Sequence, residues 1–398
     1  MAQTCTAGDE APQNTQNSRN SQPHQAELAE PTSPGPIRVA SPAALLAAIP
    51  RLLGFMPEAS LVVIGTEPPR SGVKVTLRYD LPDPPGAGVA ADMAAHAVGV
   101  LRSQQLTSAV AVAYGPAALA GLVADALRDA ARSAGLELRE FLRVEDGRYW
   151  SYVCRDEACC PAAGVPFDAS TLSGLAATED RVLPDRAAVA ARVAPLGGIA
   201  AESMRQATRR AERHVTQLLA RARKSGRLGA VRHLIASEGL ATTSAMITAY
   251  RAGGRFTTDY ELARLTVALR DLRVRDDAWA RMDPAFRGAH RRLWTDVTRR
   301  AQPGYVAGPA ALLAFVAWQC GDGALANVAL DRALADDPRY SMALLLRQVI
   351  TAGAPPSLAR LPMTPEEVAA SYDGALADAD DDHEVDSDVH ETDSVDEP

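Results

Sequence analysis

The sequence predicts a two-part protein: an α/β region with a mixed sheet, followed by an all-helical region with a tetratricopeptide-like hairpin. Three observations carry this. Between residues 60 and 154, β-patterned runs alternate with helical ones in the order β-β-α-β-α-β-β. From about residue 185 to 355 every periodic stretch has helical spacing. Both ends differ from the body. Residues 1–36 are rich in Gln, Asn, Ser, Pro and Thr, and residues 373–398 carry 12 acidic and no basic residues.

Each element has a local reason. Ser41 caps a short helix with Pro42 at its first position, and Leu45, Ile49 and Leu52–Leu53 give it an apolar face interrupted by Pro50. "SLVVIG" (60–65) reads as a buried strand. "VKVTLRYDL" (73–81) alternates Val73, Val75, Leu77, Tyr79 and Leu81 with polar partners, as a half-buried strand does. "TEPPRSG" between them reads as a hairpin loop. Residues 87–104 are helical, 108–115 form a strand, and Gly115-Pro116 opens a helix to about Ala134. Residues 136–154 read as two strands around an Asp146-Gly147 turn.

An extended connector follows the cysteine-bearing stretch. A long helix then covers 198–226, with Met204, Ala207, Ala211, Val215, Leu218 and Ala222 on one stripe and Gly226 as a stop signal. Further helices are expected at about 227–237, 241–252, 259–272, 276–300, 309–320, 324–336 and 340–352. In "ALLAFVAWQCGDGALANVALDRALADDP", Ala326, Leu330, Ala333 and Pro338 have the spacing of a tetratricopeptide second helix. The domain expectation is a disordered tail over 1–37, the α/β domain over 38–165, a connector over 166–184, the helical domain over 185–355, and a linker with an acidic disordered tail over 356–398.

The total charge of −8 hides an asymmetry. Removing the −12 of residues 373–398 and the −3 of residues 1–36 leaves a body of +7. Lysine occurs only at Lys74 and Lys224, so arginine supplies nearly all the positive charge and arginine clusters form a high background. The N-terminus shows no apolar signal region, and no apolar run has membrane-spanning length. With five cysteines and no secretory signal, a reducing cytoplasm is the expected location and no membrane contact is expected.

"YVCRDEACCPAAG" (152–164) concentrates three of those cysteines, Cys154, Cys159 and Cys160. A structural zinc site takes four ligands, and the nearest histidines in sequence, His96 and His214, are distant. The stretch therefore reads as inert packing, as a redox thiol with Arg155 lowering a thiolate pKa, or as a metal site completed from afar. Cys320 reads as core. Basic residues decorate two helices: Arg205, Arg209, Arg210, Arg213, Arg221, Arg223, Lys224 and Arg227 on the first, Arg291 and Arg292 with their neighbours Arg287, Arg299 and Arg300 on the second. They are candidates for phosphate or partner contact, against the plainer reading of a solvated face. No dinucleotide glycine motif, P-loop, nucleophile elbow or zinc-protease motif is present. "VRDDAWARMDP" offers Asp276 and Asp277, which equally suit helix capping.

At "LLAAIPRLLGFMPEASLVVIG", "YVCRDEACCPAAG", "RDDAWARM" and "LLAFVAWQCGDGALANVALDRALADDPRYSMALLLRQ" the chain resembles an actinobacterial family classified as a domain of unknown function, number four-one-nine-two. The resemblance covers roughly residues 38–355. It implies an actinobacterial cytoplasmic protein and supplies no activity, cofactor or catalytic residue.

The resulting expectation is a non-catalytic binding or regulatory module that uses its helical half. Its partner is expected to be a protein first and nucleic acid second. Two alternatives stand beside it: an enzyme or thiol- or metal-dependent protein with its site around the three cysteines, and a nucleic-acid binder acting through the arginine helices.

Overall fold

The computed structural model describes residues 41–67, 72–84, 86–167, 182–256, 258–358 and 363–373. The expected N-terminal tail, the tip of the first hairpin loop, most of the connector and nearly all of the acidic tail lie outside the described residues.

Helix α1 (Pro42–Leu53) starts where Ala44 N–H donates to the Ser41 hydroxyl at 3.2 Å, and it continues through Pro50 to a left-handed cap at Gly54. The sheet that follows is mixed. Its strands are β1 (Ser60–Glu67), β2 (Gly72–Asp80), β3 (Ser108–Tyr114), β4 (Glu137–Glu145), β5 (Arg148–Ser151) and β6 (Val165–Pro166), in the spatial order β2-β1-β3-β4-β5-β6. Only β3 and β4 run parallel. Strand β6 has no counterpart in the sequence reading, because two residues are too short to show a period.

Alternation along the strands sorts the two faces. Leu61, Val63, Ala109, Ala111, Ala113 and Phe141 meet helices α2 (Ala87–Ser103) and α3 (Ala117–Ser133). Val62, Ile64, Val110, Val112, Leu142 and Val144 meet α1 on the other side. The small alanines of β3 face the alanines of α2 and α3, so two helices fit closely over one strand.

The C-terminal half is mostly helical: α4 (Arg186–Ala191), α5 (Gly198–Lys224), α6 (Leu228–Arg251), α7 (Asp259–Ala268), α8 (Leu272–Ala280), α9 (Arg287–Arg300), α10 (Ala307–Gln319), α11 (Gly323–Asp336) and α12 (Ser341–Thr351). Helix α10 is buried from Ala307 through Trp318, as an all-round apolar helix must be. Trp294, Tyr250 and Met204 from α9, α6 and α5 complete this core. Phe55, just after α1, is 3% exposed and packs into the same core. Backbone bonds Met56 N–H to Leu183 O and Leu183 N–H to Gly54 O, each 2.9 Å, fasten that contact. A Cβ placed on Gly353, beyond α12, would lie 2.2 Å from Val100 Cγ1 on α2.

Four expectations are corrected. The breaks placed between 237 and 241 do not occur, because α6 is continuous. Gly239 is there for close approach: a Cβ on it would meet Val274 at 2.9 Å and Ala268 at 3.0 Å. The helix expected over 276–300 is interrupted after Ala280 and resumes at Arg287, with a short 3-10 turn at Pro284–Phe286 whose Asp283 cap accepts from Ala285 N–H at 2.8 Å. Cys320, at the C-terminal end of α10, is exposed, not core. Residues 365–373, within the stretch read as linker and tail, are helical. Thr364 and Glu367 cap that helix reciprocally, at 3.2 and 2.7 Å.

Candidate functional site

The cysteine loop is built by the strands that flank it. Strands β4 and β5 turn at Asp146 and Gly147, both at positive φ (48° and 71°). Trp150 on β5 then organises the return. Its indole N–H donates to Ala162 O at 3.0 Å, and the Arg143 guanidinium lies 3.6 Å from its ring centroid. Arg148 donates to the carbonyls of Ala163 (3.2 Å) and Gly164 (3.0 Å). Gly164 sits at φ +77°, and a Cβ there would be 2.5 Å from the indole, so only glycine fits.

Inside that frame the cysteines are placed by short polar bonds. The Ser151 hydroxyl donates to Glu140 Oε1 at 2.7 Å and accepts from Val153 N–H (3.1 Å) and Cys154 N–H (2.9 Å). Asp156 starts one helical turn: its carboxylate accepts from Ala158 N–H at 2.9 Å, and its carbonyl from Cys159 N–H (3.1 Å) and Cys160 N–H (2.7 Å). The sulfurs of Cys154, Cys159 and Cys160 consequently lie within 4.8 Å of one another. Cys154 and Cys160 are half-buried, and Cys159 is exposed.

Among the described residues no His, Asp or Glu joins the trio. His96 is bonded to Tyr79 OH at 2.8 Å, and His214 faces Glu238 at 3.8 Å. The expectation that Arg155 activates a thiolate does not describe Cys160. Desolvation, then hydrogen bonds with Cys154 and Cys159, push its thiol up to about 12, so it is protonated near neutrality. Burial, then Cys160 and Cys159, also raise the Tyr149 phenol.

The arginine candidates separate into two kinds. On α9, Arg291 is half-buried and Arg292 donates to Tyr250 O at 3.4 Å. Arg299 donates to Ala194 O, and Arg300 pairs with Asp259 at 3.3 Å and covers Phe256. On α5, Arg205 pairs with Glu202 and Arg210 lies over Tyr260. Arg209 and Arg213 are exposed.

Beyond Arg213 the environment changes. Residues 213–237 contain no acidic and no aromatic residue. Arg213, Arg221, Arg223, Lys224, Arg227 and Arg232 are all exposed, and among the described residues none is in an ion pair. Over 213–235 only Ala222, 2% exposed, is buried. The turn is closed by Ser225 N–H to Arg221 O (3.2 Å) and Arg227 N–H to Ala222 O (3.0 Å), with Gly226 at φ +67°. This outer part of the α5–α6 hairpin is uniformly cationic. Arg232 was not singled out in sequence, although counting acidic residues in a sliding window finds the stretch.

Asp276 and Asp277 serve structure. Asp276 binds Arg275 and accepts from Tyr372 OH at 2.6 Å, and Asp277 binds Arg281 through both oxygens (2.6 and 2.9 Å). A cleft of about 270 Å³ lies beside them, between Ser244, Thr248, Arg251, Arg281, Asp283 and Pro365. Its cations are already engaged: Arg281 by Asp277, and Arg251 by Arg281 O at 2.8 Å and His290 Nε2 at 3.3 Å. His290 is 1% exposed, and burial followed by Arg251 lowers it to about 4, so it is neutral.

Fold and sites together define an α/β sheet protein extended by a helical half, carrying a three-thiol loop on one and a cationic hairpin on the other. Among the described residues no helix is long and apolar enough to cross a membrane. The chain belongs to the family described as Domain of unknown function (DUF4192), which matches residues 42–357. No curated protein and no solved structure matches it.

Proposed function

We propose that the protein is a non-catalytic binding module whose helical half takes the phosphate backbone of duplex nucleic acid on the outer α5–α6 hairpin. One observation carries this: six exposed cations without an acidic residue over 213–237. Guanidinium groups match phosphate geometry, and neutralising phosphates releases counterions. The helical stretch from Arg213 to Lys224 is roughly 18 Å long, and a duplex presents a charge about every 1.7 Å, so several phosphates fall within its length. A protein partner ranks second, because protein interfaces centre on buried apolar and aromatic anchors and this stretch has no aromatic side chain. Its absence also favours duplex over single strands, which bind by stacking.

The remaining helices are the support. We read α10 and α11 as a tetratricopeptide-like hairpin, with Ala326, Leu330 and Ala333 fully buried against α10 and Pro338 just after the second helix. On this reading the helical half begins near 185 and the sheet half near 38.

Fluorescence anisotropy of the full chain with a mixed-sequence DNA duplex tests the proposal, with single-stranded RNA and polyglutamate as controls. Binding should be strongest to the duplex, insensitive to sequence and weakened by salt. Binding to polyglutamate alone would replace nucleic acid with an acidic protein. No binding of any polyanion at low salt would end the proposal.

A further inference from the structure

We propose that Cys154, Cys159 and Cys160 form a binding site for one Zn²⁺ ion, held by three thiolates with an open fourth position. The inference is independent of the hairpin, since it rests on the sheet half alone. Zn–S bonds of about 2.3 Å place the sulfurs of a tetrahedral site roughly 3.8 Å apart. The three sulfurs here lie within 4.8 Å of one another, so closing on an ion moves each by only a fraction of that spacing.

The convergence of the three thiols is enforced by the loop around them. Ser151 holds Cys154 from the strand side, and the Asp156 turn holds Cys159 and Cys160 from the other. Trp150, Arg148 and Gly164 clamp the loop ends. None of these bonds involves sulfur, so the loop is preorganised before an ion arrives, and preorganisation lowers the entropic cost of binding. The adjacent pair Cys159-Cys160, awkward in an extended chain, becomes compatible with one ion because the helical turn brings both sulfurs to the Cys154 side.

The choice of ion follows from the ligands. Three soft sulfur ligands with no described carboxylate or imidazole select against Mg²⁺ and Ca²⁺, and Zn²⁺ accepts sulfur without geometric preference. Structural zinc sites are closed by four protein ligands, whereas three ligands leave a position for water or an exchangeable group. Cys159 is the exposed member, so exchange with solvent has a route. Binding replaces the thiol protons, which are released to solvent.

The test uses the full chain, reduced and freed of metal. Titration with Co²⁺ should give thiolate-to-cobalt charge-transfer absorption saturating at one ion per chain, reversed by Zn²⁺, with proton release on Zn²⁺ addition. Cys154→Ser, Cys159→Ser and Cys160→Ser should each weaken binding at least about tenfold. Cys320→Ser and Cys5→Ser should leave it unchanged. Circular dichroism of each variant separates loss of ligand from loss of fold, and the metal-free wild type should already be folded. Failure of the reduced, folded chain to bind Co²⁺ or Zn²⁺ stoichiometrically would overturn the proposal. So would binding that survives Cys154→Ser, or a thiol count showing two of the three sulfurs already joined under reducing conditions.

Discussion

Helix α9, with five arginines, and the outer end of α5, with three arginines and Lys224, are similarly rich in cations, yet these cations have different fates. On α9 the buried face of His290, Leu293, Trp294 and Val297 presses the helix into the core, and Arg292, Arg299 and Arg300 reach back to Tyr250 O, Ala194 O and Asp259. Beyond residue 212, α5 buries only Ala222, and its cations meet solvent. The contrast teaches that an arginine cluster becomes informative only when burial and acidic neighbours are counted with it. In one helix three guanidinium groups, those of Arg292, Arg299 and Arg300, satisfy the protein's own carbonyls and a carboxylate. In the other they remain available.

The contrast breaks most sharply if charge is reversed on the hairpin. Arg223→Glu, Lys224→Glu and Arg227→Glu together should lower duplex affinity at least about 100-fold, since each reversal removes one phosphate contact and adds repulsion. Thermal stability should hardly change, because exposed substitutions away from packed features cost about 0.5 kcal/mol or less.

Acid should act on the packed region and spare the hairpin. The folded state keeps His290 neutral down to about 4, below the ordinary value of 6.5, so the unfolded chain binds the extra proton first. Stability from this group is present above 6.5, falls as pH drops towards 4, and levels off below that. The loss is about 3 kcal/mol at most. Denaturant melts at pH 7 and pH 4.5 should show a smaller difference in His290→Gln than in the wild type.

Removing the partner of a partly buried arginine should sharpen the comparison from the other side. The Asp277 side chain is 7% exposed and that of Arg281 34%, so Asp277→Ala leaves a partly buried cation unmatched. A loss of about 2 kcal/mol in unfolding free energy is expected, with duplex binding unchanged.

The smallest effect comes from the acidic tail. Asp373 pairs with Arg273 at 2.7 Å, and the neighbouring Val274 lies against Gly239 at the root of the hairpin. Residues 374–398 carry 11 acidic residues and, at roughly 80 Å when extended, are long enough to reach the cations. Truncation after Asp373 should raise duplex affinity severalfold at low salt, and the difference should vanish as salt screens it.

Much of this architecture was legible in residues 41–167 and 185–352. Strand β1 could be read because both its faces are buried and it is a continuous apolar run; β2 because it alternates. The break expected between 237 and 241 contains Gly239, which instead makes room for Val274 within a continuous helix. The 365–373 helix carried its capping residues, Thr364 and Glu367, in plain view, but they stood beside a run of charge that favours a solvated reading. The cysteine site was least legible. Its chemistry depends on Trp150 and Gly164 folding the loop back and on the Asp156 turn, contacts that linear spacing does not report. The hairpin was half legible: its arginines were counted, but exposure and the gap in acidic residues decide its meaning.

The most direct measurement is the salt dependence of duplex binding by the full chain, wild type against an alanine series at Arg213, Arg221, Arg223, Lys224, Arg227 and Arg232. The account predicts a log–log slope of up to about −5 for the wild type, becoming shallower by about 0.9 with each cation removed from the hairpin. A steep slope untouched by these substitutions, but flattened by alanine at Arg291 and Arg292, would place the contact on α9 and contradict it.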